Sequence, residues 1–468
     1  MSDSSPRPML ASLVALALAA GCQPSDAVAP GPAAGEASPD AIVAGGACAN
    51  ATGAGTTHAG TVSADEVWTA AASPHRVPNA ISVLAQVTIE ACATVIVADG
   101  VTISVGDTST PGRIVARGTG AGADVRPVVF RAAEGASAWG GLSVQAKGSV
   151  DLAFVALVDG GASGDGALVS RGVAGGTNSG PMTENLSVDH VVIEKSRSYG
   201  VNLLGWGAFT AGSSKLWIRG SGSPVAPSAV RLELGVASTL PTSLVAVGNL
   251  KDEVVIAGPK PFMRDDTLVS RGLPYRAVGP IRVAGAVDGP AVTLKIEAGV
   301  TLGFDEDAGS GMVVGSSPAR PGVLDAVGTD AAPIVFTSGR PTKAPGDWTN
   351  LTFKTPTFAS RVSHARVEYA GASSQTRSFG CGPADNDAAV LVLVSGPDEA
   401  GPVAAFIDAT TFDSIAGTTV IVSGWVDDAG PNLSAGNTFG AATPACKVSR
   451  PRRKGAGDVC DGGRTTCW

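Results

Sequence analysis

Short runs in which apolar β-formers alternate with small or polar residues recur along the chain, divided by Gly-rich turns. They are densest from Ala291 to Phe336 and on past Trp348: VTLKIEAGVTLGF, GVLDAVGTDAAPIVFTS, GDWTNLTF. Alternation of period two marks half-buried strands, and no stretch between them reads as a convincing amphipathic helix. A diverged copy lies earlier, in VTIEACATVIVADGVTISV, GRIVARGTGAGADVRPVVFRA and AWGGLSV. The pairs Gly100/Gly299, Gly118/Gly328, Phe130/Phe336 and Trp139/Trp348 are separated by 199, 210, 206 and 209 positions. Constant strand content with drifting offsets places insertions in the turns and identifies an internal repeat.

Strands without helices suit a sandwich, a barrel or a wound solenoid. The runs VTISV and VVF are short, evenly recurring and β-branched, their turns hold Gly (Asp99-Gly100, Ala298-Gly299), and Asn-Gly hairpin dipeptides do not join them. This pattern predicts an all-β fold, a right-handed parallel β-helix built from two degenerate repeats over residues 67–445, with copies at about 67–260 and 261–445. In such a solenoid successive coils pair about 4.8 Å apart and like side chains stack on like. Ile103 and Leu302, or Phe130 and Phe336, are then expected to point inward at equivalent places in two coils. His75-Arg76-Val77 precedes its strands as Pro274-Tyr275-Arg276 precedes the corresponding ones.

The pattern of GVT, then G-x-L-x-A-x-G-T…P-I-V-F, then W-x-x-L resembles the right-handed parallel β-helix repeats of bacterial surface lipoproteins, whose fold is that of pectate lyases. The resemblance covers roughly Trp68–Phe439 and is best in Ala291–Gly371. It implies a fold and no particular activity.

The first 22 residues, MSDSSPRPMLASLVALALAAGC, read as an export signal and resemble a bacterial lipoprotein signal peptide. Arg7 supplies the n-region, Met9–Ala20 an apolar stretch too short to span a bilayer, and Ala19-Ala20-Gly21 the small residues before cleavage. Cys22 directly follows, as in a lipobox, and is expected to be the acylated residue. By the sorting rules of the lipoproteins it resembles, Gln23 in place of Asp implies release to the outer membrane. Residues 23–66 are mostly Ala, Gly, Pro, Ser and Thr with few large apolar side chains, so a flexible tether is expected there. Residues 446–468 read as a Cys-containing basic tail, with Arg450–Lys454 solvated.

With Cys22 acylated, six cysteines remain: Cys48, Cys92, Cys381, Cys446, Cys460 and Cys467. An even number in an exported chain predicts disulfides, with 15 pairings open. Sequence order favours Cys48–Cys92, Cys381–Cys446 and Cys460–Cys467. No C-x₂-C pair and no neighbouring His supports zinc.

The net charge of −8 does not point to nucleic acid. Of the four His, His58 falls in the tether, while His190 and His364 lie inside strand runs and are expected to be outward ladder residues, with a general base as the alternative. No Ser or Cys stands in a nucleophile motif. Pectate lyases use clustered Asp for Ca²⁺; the counterparts here are Asp305 and Asp307, and Asp385 and Asp387, all in loops. Gly118–Gly122 lacks the following Lys-Ser/Thr of a phosphate loop and reads as a turn. Trp139 and Trp348 are expected to cap coils, with a sugar-stacking platform as the alternative. The leading expectation is a non-enzymatic, monomeric, surface-anchored β-helix, a scaffold or adhesin-like module without a cofactor, attached to the outer membrane by lipid and binding polysaccharide or another surface protein. The alternative is an exported polysaccharide lyase or glycoside hydrolase.

Overall fold

Alternation dictates the local structure. In Thr94–Val97, Thr102–Val105 and Gly112–Arg117 every second side chain is buried. The structure, a computed structural model, describes residues 35–49, 53–173, 181–258, 264–305, 309–354, 359–374, 386–393, 405–423, 432–449 and Cys467. Cys22, Cys381, Cys460, Asp307, Asp385 and the 450–454 basic run lie outside them.

A four-residue strand buried along one side must stack on another. Gln86–Ile89, Thr94–Val97 and Thr102–Val105 make one coil, and Gly112–Arg117, Val128–Ala132 and Gly141–Val144 lie parallel beside them as the next. The fold is a parallel β-helix. Among the described residues 37 strands form four sheets, of 12, 14, 5 and 6 strands. One inward column of the 14-stranded sheet runs Ile103–Leu142–Leu168–Val201–Val230–Val254–Tyr275–Leu302–Phe336–Val367, all buried. Each such side chain contributes about 1.5–3 kcal/mol by leaving water.

The repeat is visible in matching geometry. The Trp139 and Trp348 indoles are fully buried and donate to Val158 O and Glu368 O, each at 2.8 Å. They cap coils, and neither is a sugar platform. His75 Nε2 lies 2.9 Å from Thr69 O, and the Tyr275 hydroxyl donates to Val269 O at 2.8 Å, so each buried ring satisfies its polar tip six residues upstream. Phe130 and Phe336 are fully buried at equivalent places in their coils. The other expected pair also points inward, and only its equivalence in the repeat is corrected. Ile103 and Leu302 share one column, but the Leu302 counterpart in the first copy is Val95, because Val95 pairs Phe130 as Leu302 pairs Phe336. Gly299 accordingly matches Cys92, at offset 207 in place of 199, and both have positive φ (82° and 69°). A Cys at a left-handed corner hid the match.

The copies join with an offset of one face. Leu244–Val247 ends the 12-stranded sheet, whereas Lys251–Ala257 continues the 14-stranded one directly into Tyr275–Val278. Asp266–Leu268 opens the five-stranded sheet and Ile281–Val283 the six-stranded one. Hence Val128–Ala132 and its counterpart Ile334–Ser338 lie in different sheets. The buried Asp266 carboxylate secures the junction by accepting the N–H groups of Gly235, Ala237 and Ser238 at 2.8, 3.1 and 3.0 Å.

Both ends depart from the sequence reading. Residues 35–49, expected within the tether, are folded. Ser38 caps the short helix Pro39–Ala44, accepting Ala41 N–H at 3.1 Å, and Gly45 ends it in the left-handed region. Ile42 is buried against Val129, Ala156, Val158 and Val192. Glu36 pairs with Lys215 at 2.6 Å, Asp40 with Arg219, and Cys48 bonds to Cys92. The first coil begins at Thr56, within the same expected tether, and Thr56–Thr57 pairs His75–Arg76. Composition understates this segment because one Ile and two ion pairs suffice when a sheet face is waiting. At the other end, Cys446–Ser449 is a strand of the six-stranded sheet, and Cys446 bonds to Cys467 with Cα atoms 5.3 Å apart. That replaces the expected pairings Cys381–Cys446 and Cys460–Cys467, since Ser449 bridges Cys467 and brings it alongside Cys446.

His58 belongs to the first coil too. Its ring stacks on Trp68 at 4.0 Å, and its Nε2 lies 3.0 Å from His75 Nδ1. Burial, and then the neighbouring His75, hold His58 below the ordinary pKa of 6.5. The folded state therefore takes up its proton later than the unfolded chain as pH falls. Its contribution is present above about pH 6.5 and is lost as pH falls through the lower folded value. Amide exchange in Gly60–Val62 should accelerate in that acid range relative to Ile334–Ser338; equal acceleration in both would contradict this.

Candidate functional site

Strands whose inward residues form the column through Leu142 must present the alternate residues outward, and stacking places those in rows. The outer row of the 14-stranded sheet runs Thr61–Ser82–Ser104–Ser143–Val169–Asn202–Arg231–Val255–Arg276–Gly303–Thr337. Asn202 and Val255 are buried, and Ser143, Arg231 and Arg276 half-buried, so the row is the floor of a recessed surface.

Over Ser143 this surface deepens into a pocket of about 210 Å³ lined by residues including Thr102, Gln145, Ser163, Asp165 and Arg171. Gln145 Nε2 donates to the Ser143 hydroxyl at 2.9 Å, Arg171 pairs with Asp165, and Asn202 Nδ2 donates to Asp165 O at 2.8 Å. Arg231 donates to Asn202 Oδ1 at 3.0 Å. The lining offers hydroxyl, amide and one compensated charge pair, which is chemistry for hydroxyl-bearing ligands.

Further along, Arg276 is a hub. Its Nε donates to Glu253 Oε1 at 2.7 Å and one terminal nitrogen to Asp305 Oδ2 at 2.8 Å, while Ser228 donates to Glu253 at 2.7 Å. Burial opposes the guanidinium charge, but the bonds to Glu253 and then Asp305 outweigh it, raising the Arg276 pKa above its usual value. Asp305, a calcium candidate, thus has both oxygens on a guanidinium, and a cation there would have to displace Arg276. Asp387 accepts Ser374 N–H at 3.1 Å and precedes a strand of a different sheet. Among the described residues no group of three or more His, Cys, Asp or Glu is gathered for a metal ion.

His190 lies inside the strand Thr183–Glu194, as expected, and His364 between two strands, but neither has a paired partner in the ladder. Both occupy left-handed corners, at φ 54° and 46°, as Phe154 does at 50°. His190 stacks on Phe154 at 4.4 Å with Lys215 Nζ 3.2 Å from its Nε2, whereas the more exposed His364 pairs with Asp330 at 2.8 Å. Gly118–Gly122 is a turn closed by a Thr119–Arg126 bridge. The Arg276 hub carried a faint sequence signal, the recurrence of His75-Arg76 in Tyr275-Arg276. The Ser143 pocket carried none, since its residues come from three coils. Compared with protein-family models, curated proteins and solved structures, the chain matches none of them.

Proposed function

We propose that this chain is a surface-anchored, non-enzymatic β-helix lipoprotein, an adhesin-like or scaffold module that binds an extended polysaccharide along the outer row of its 14-stranded sheet. The observation that carries this reading is the row itself. Along coils spaced about 4.8 Å apart, comparable to one sugar unit of an extended chain, the row is mostly polar, interrupted at Val169, Val255 and Gly303, with a hydroxyl- and amide-lined pocket over Ser143. Binding is favoured over catalysis because the carboxylates at its two polar centres are paired: Asp165 with Arg171, and Glu253 and Asp305 with Arg276. A carboxylate held by a guanidinium is a poor general acid. The resemblance to bacterial surface lipoproteins supports the anchor, with Cys22 as the acylated residue and the outer membrane as the location.

Two experiments test this. Cys22→Ala should move the protein from the detergent-extracted membrane fraction to the soluble one; unchanged fractionation would refute the anchor. The soluble variant should retain a subset of polysaccharides on an array, and Ser143→Trp should lower that affinity at least about tenfold by filling the pocket. Release of reducing ends or unsaturated sugars, abolished by Asp305→Asn, would replace this reading with the lyase or hydrolase.

A further inference from the structure

The second copy has its own recess, on the six-stranded sheet, which the proposed row does not use. Leu351 pairs Met312 as Leu142 pairs Ile103, so Lys354 stands where Gln145 stands in the first copy, and Gly315 where Gly106 stands. The two glycines have similar positive φ, 73° and 64°. A Cβ on Gly315 would lie 2.2 Å from Lys354 O, so only Gly lets the turn pass beneath the lysine.

The recess encloses about 110 Å³ between Arg282, Ala284, Val313, Gly315, Ser316, Arg320 and Lys354. Three of its lining residues are cationic and none is acidic. The first-copy pocket differs, with Arg171 balanced by Asp165. Arg282 projects outward from Ile281–Val283 and is exposed, while Arg320 and Lys354 are half-buried. None of the three cationic side chains has an ion-pair or hydrogen-bond partner among the described residues. Like charges gathered without a counter-ion repel, and an anion placed among them relieves that repulsion. The charges line a recess sized for one group, where a lipid surface would be met by charges spread over an exposed face. Val313 and Ala284 add a small apolar floor suited to the C–H face of a sugar ring.

We propose that this recess binds one oxyanion group, a carboxylate or sulfate, of an acidic polysaccharide, held by Arg282, Arg320 and Lys354. The inference rests on the polysaccharide-binding reading above and narrows its ligand to an anionic polymer.

The test is titration of the purified full-length protein with oligogalacturonate, a heparin-derived sulfated oligosaccharide, a neutral dextran oligosaccharide and phosphatidylglycerol vesicles. At least one anionic oligosaccharide should bind about tenfold or more tighter than dextran, and less tightly as salt rises. Arg320→Ala and Lys354→Gln should each weaken that binding about tenfold to a hundredfold, the range for losing one charge-assisted bond. Arg282→Lys, which keeps the charge, should retain most of it. If polysaccharides bind but Arg320→Ala and Lys354→Gln change nothing, this inference falls and the broader reading stands. If no polysaccharide of either kind binds, both fall. Vesicle binding that these substitutions abolish, without oligosaccharide binding, would assign the recess to lipid headgroups and overturn the proposal.

Discussion

Phe336→Ala will lower stability by about 3–5 kcal/mol, the range for removing a fully buried aromatic ring. The ring is 0% exposed and lies between Leu302 and Val367 in the inward column of the 14-stranded sheet. Stacked strands leave the neighbouring coils little freedom to collapse into the space, because moving one strand breaks ladder bonds on both sides. The loss should appear as a lower urea midpoint, with faster amide exchange centred on Thr301–Phe304 and Ala365–Glu368, the strands on either side. In a solenoid each coil contacts only its neighbours, so exchange in Thr94–Val97 should change far less. A near-neutral substitution would mean that Phe336 does not face the core.

Arg276→Met is expected to cost a similar amount, about 3–5 kcal/mol, by a different route. Breaking a largely buried ion pair leaves its partners charged and without their counter-ion. Here the partners are two, Glu253 and Asp305, and the Arg276 and Glu253 side chains are each only 12% exposed. The decisive measurement is the rescue. Arg276→Met combined with Glu253→Leu and Asp305→Leu removes the stranded charges and should recover most of the lost denaturant midpoint. If the triple variant is no more stable than the single one, the guanidinium acts through packing and the charge argument fails.

The fold was legible because period-two alternation survives divergence: a buried Val can become Leu or Phe without changing the pattern. Phe130/Phe336 held its equivalence for that reason. Gly118/Gly328 held because a Cβ on either would meet backbone oxygen at 2.6 or 2.4 Å, and Trp139/Trp348 because each indole donates to a backbone carbonyl. Gly100/Gly299 did not, since a corner needs only a positive φ, and Cys92 meets that need in one copy and Gly299 in the other. The offset of one face between the copies was not legible at all. It follows from which strand Lys251–Ala257 pairs with, and the choice between two parallel sheets leaves no mark on local sequence. The folded residues 35–49 were hidden differently: Ser38-Pro39 and Gly45 are capping signals that an average over composition erases. The candidate site was the least legible part. The Ser143 pocket and the Arg282 recess each gather residues from separate coils, so neither spacing nor motif announces them.

The bond between Cys48 and Cys92 also decides how the protein carries mechanical load. Tension applied on the amino-terminal side of Glu36 first meets the Glu36–Lys215 and Asp40–Arg219 pairs and the Ile42 contact. Once these yield, the pull reaches Cys48 and crosses a covalent bond directly to Cys92. The strands Thr56–Thr57, Gly60–Val62 and Glu66–Trp68 lie within the closed loop of sequence separation 44, outside the force path. The first coil, the easiest place for a solenoid to begin unravelling, is therefore shielded from shear, and the load is handed to Thr94–Val97, a strand already paired on both sides.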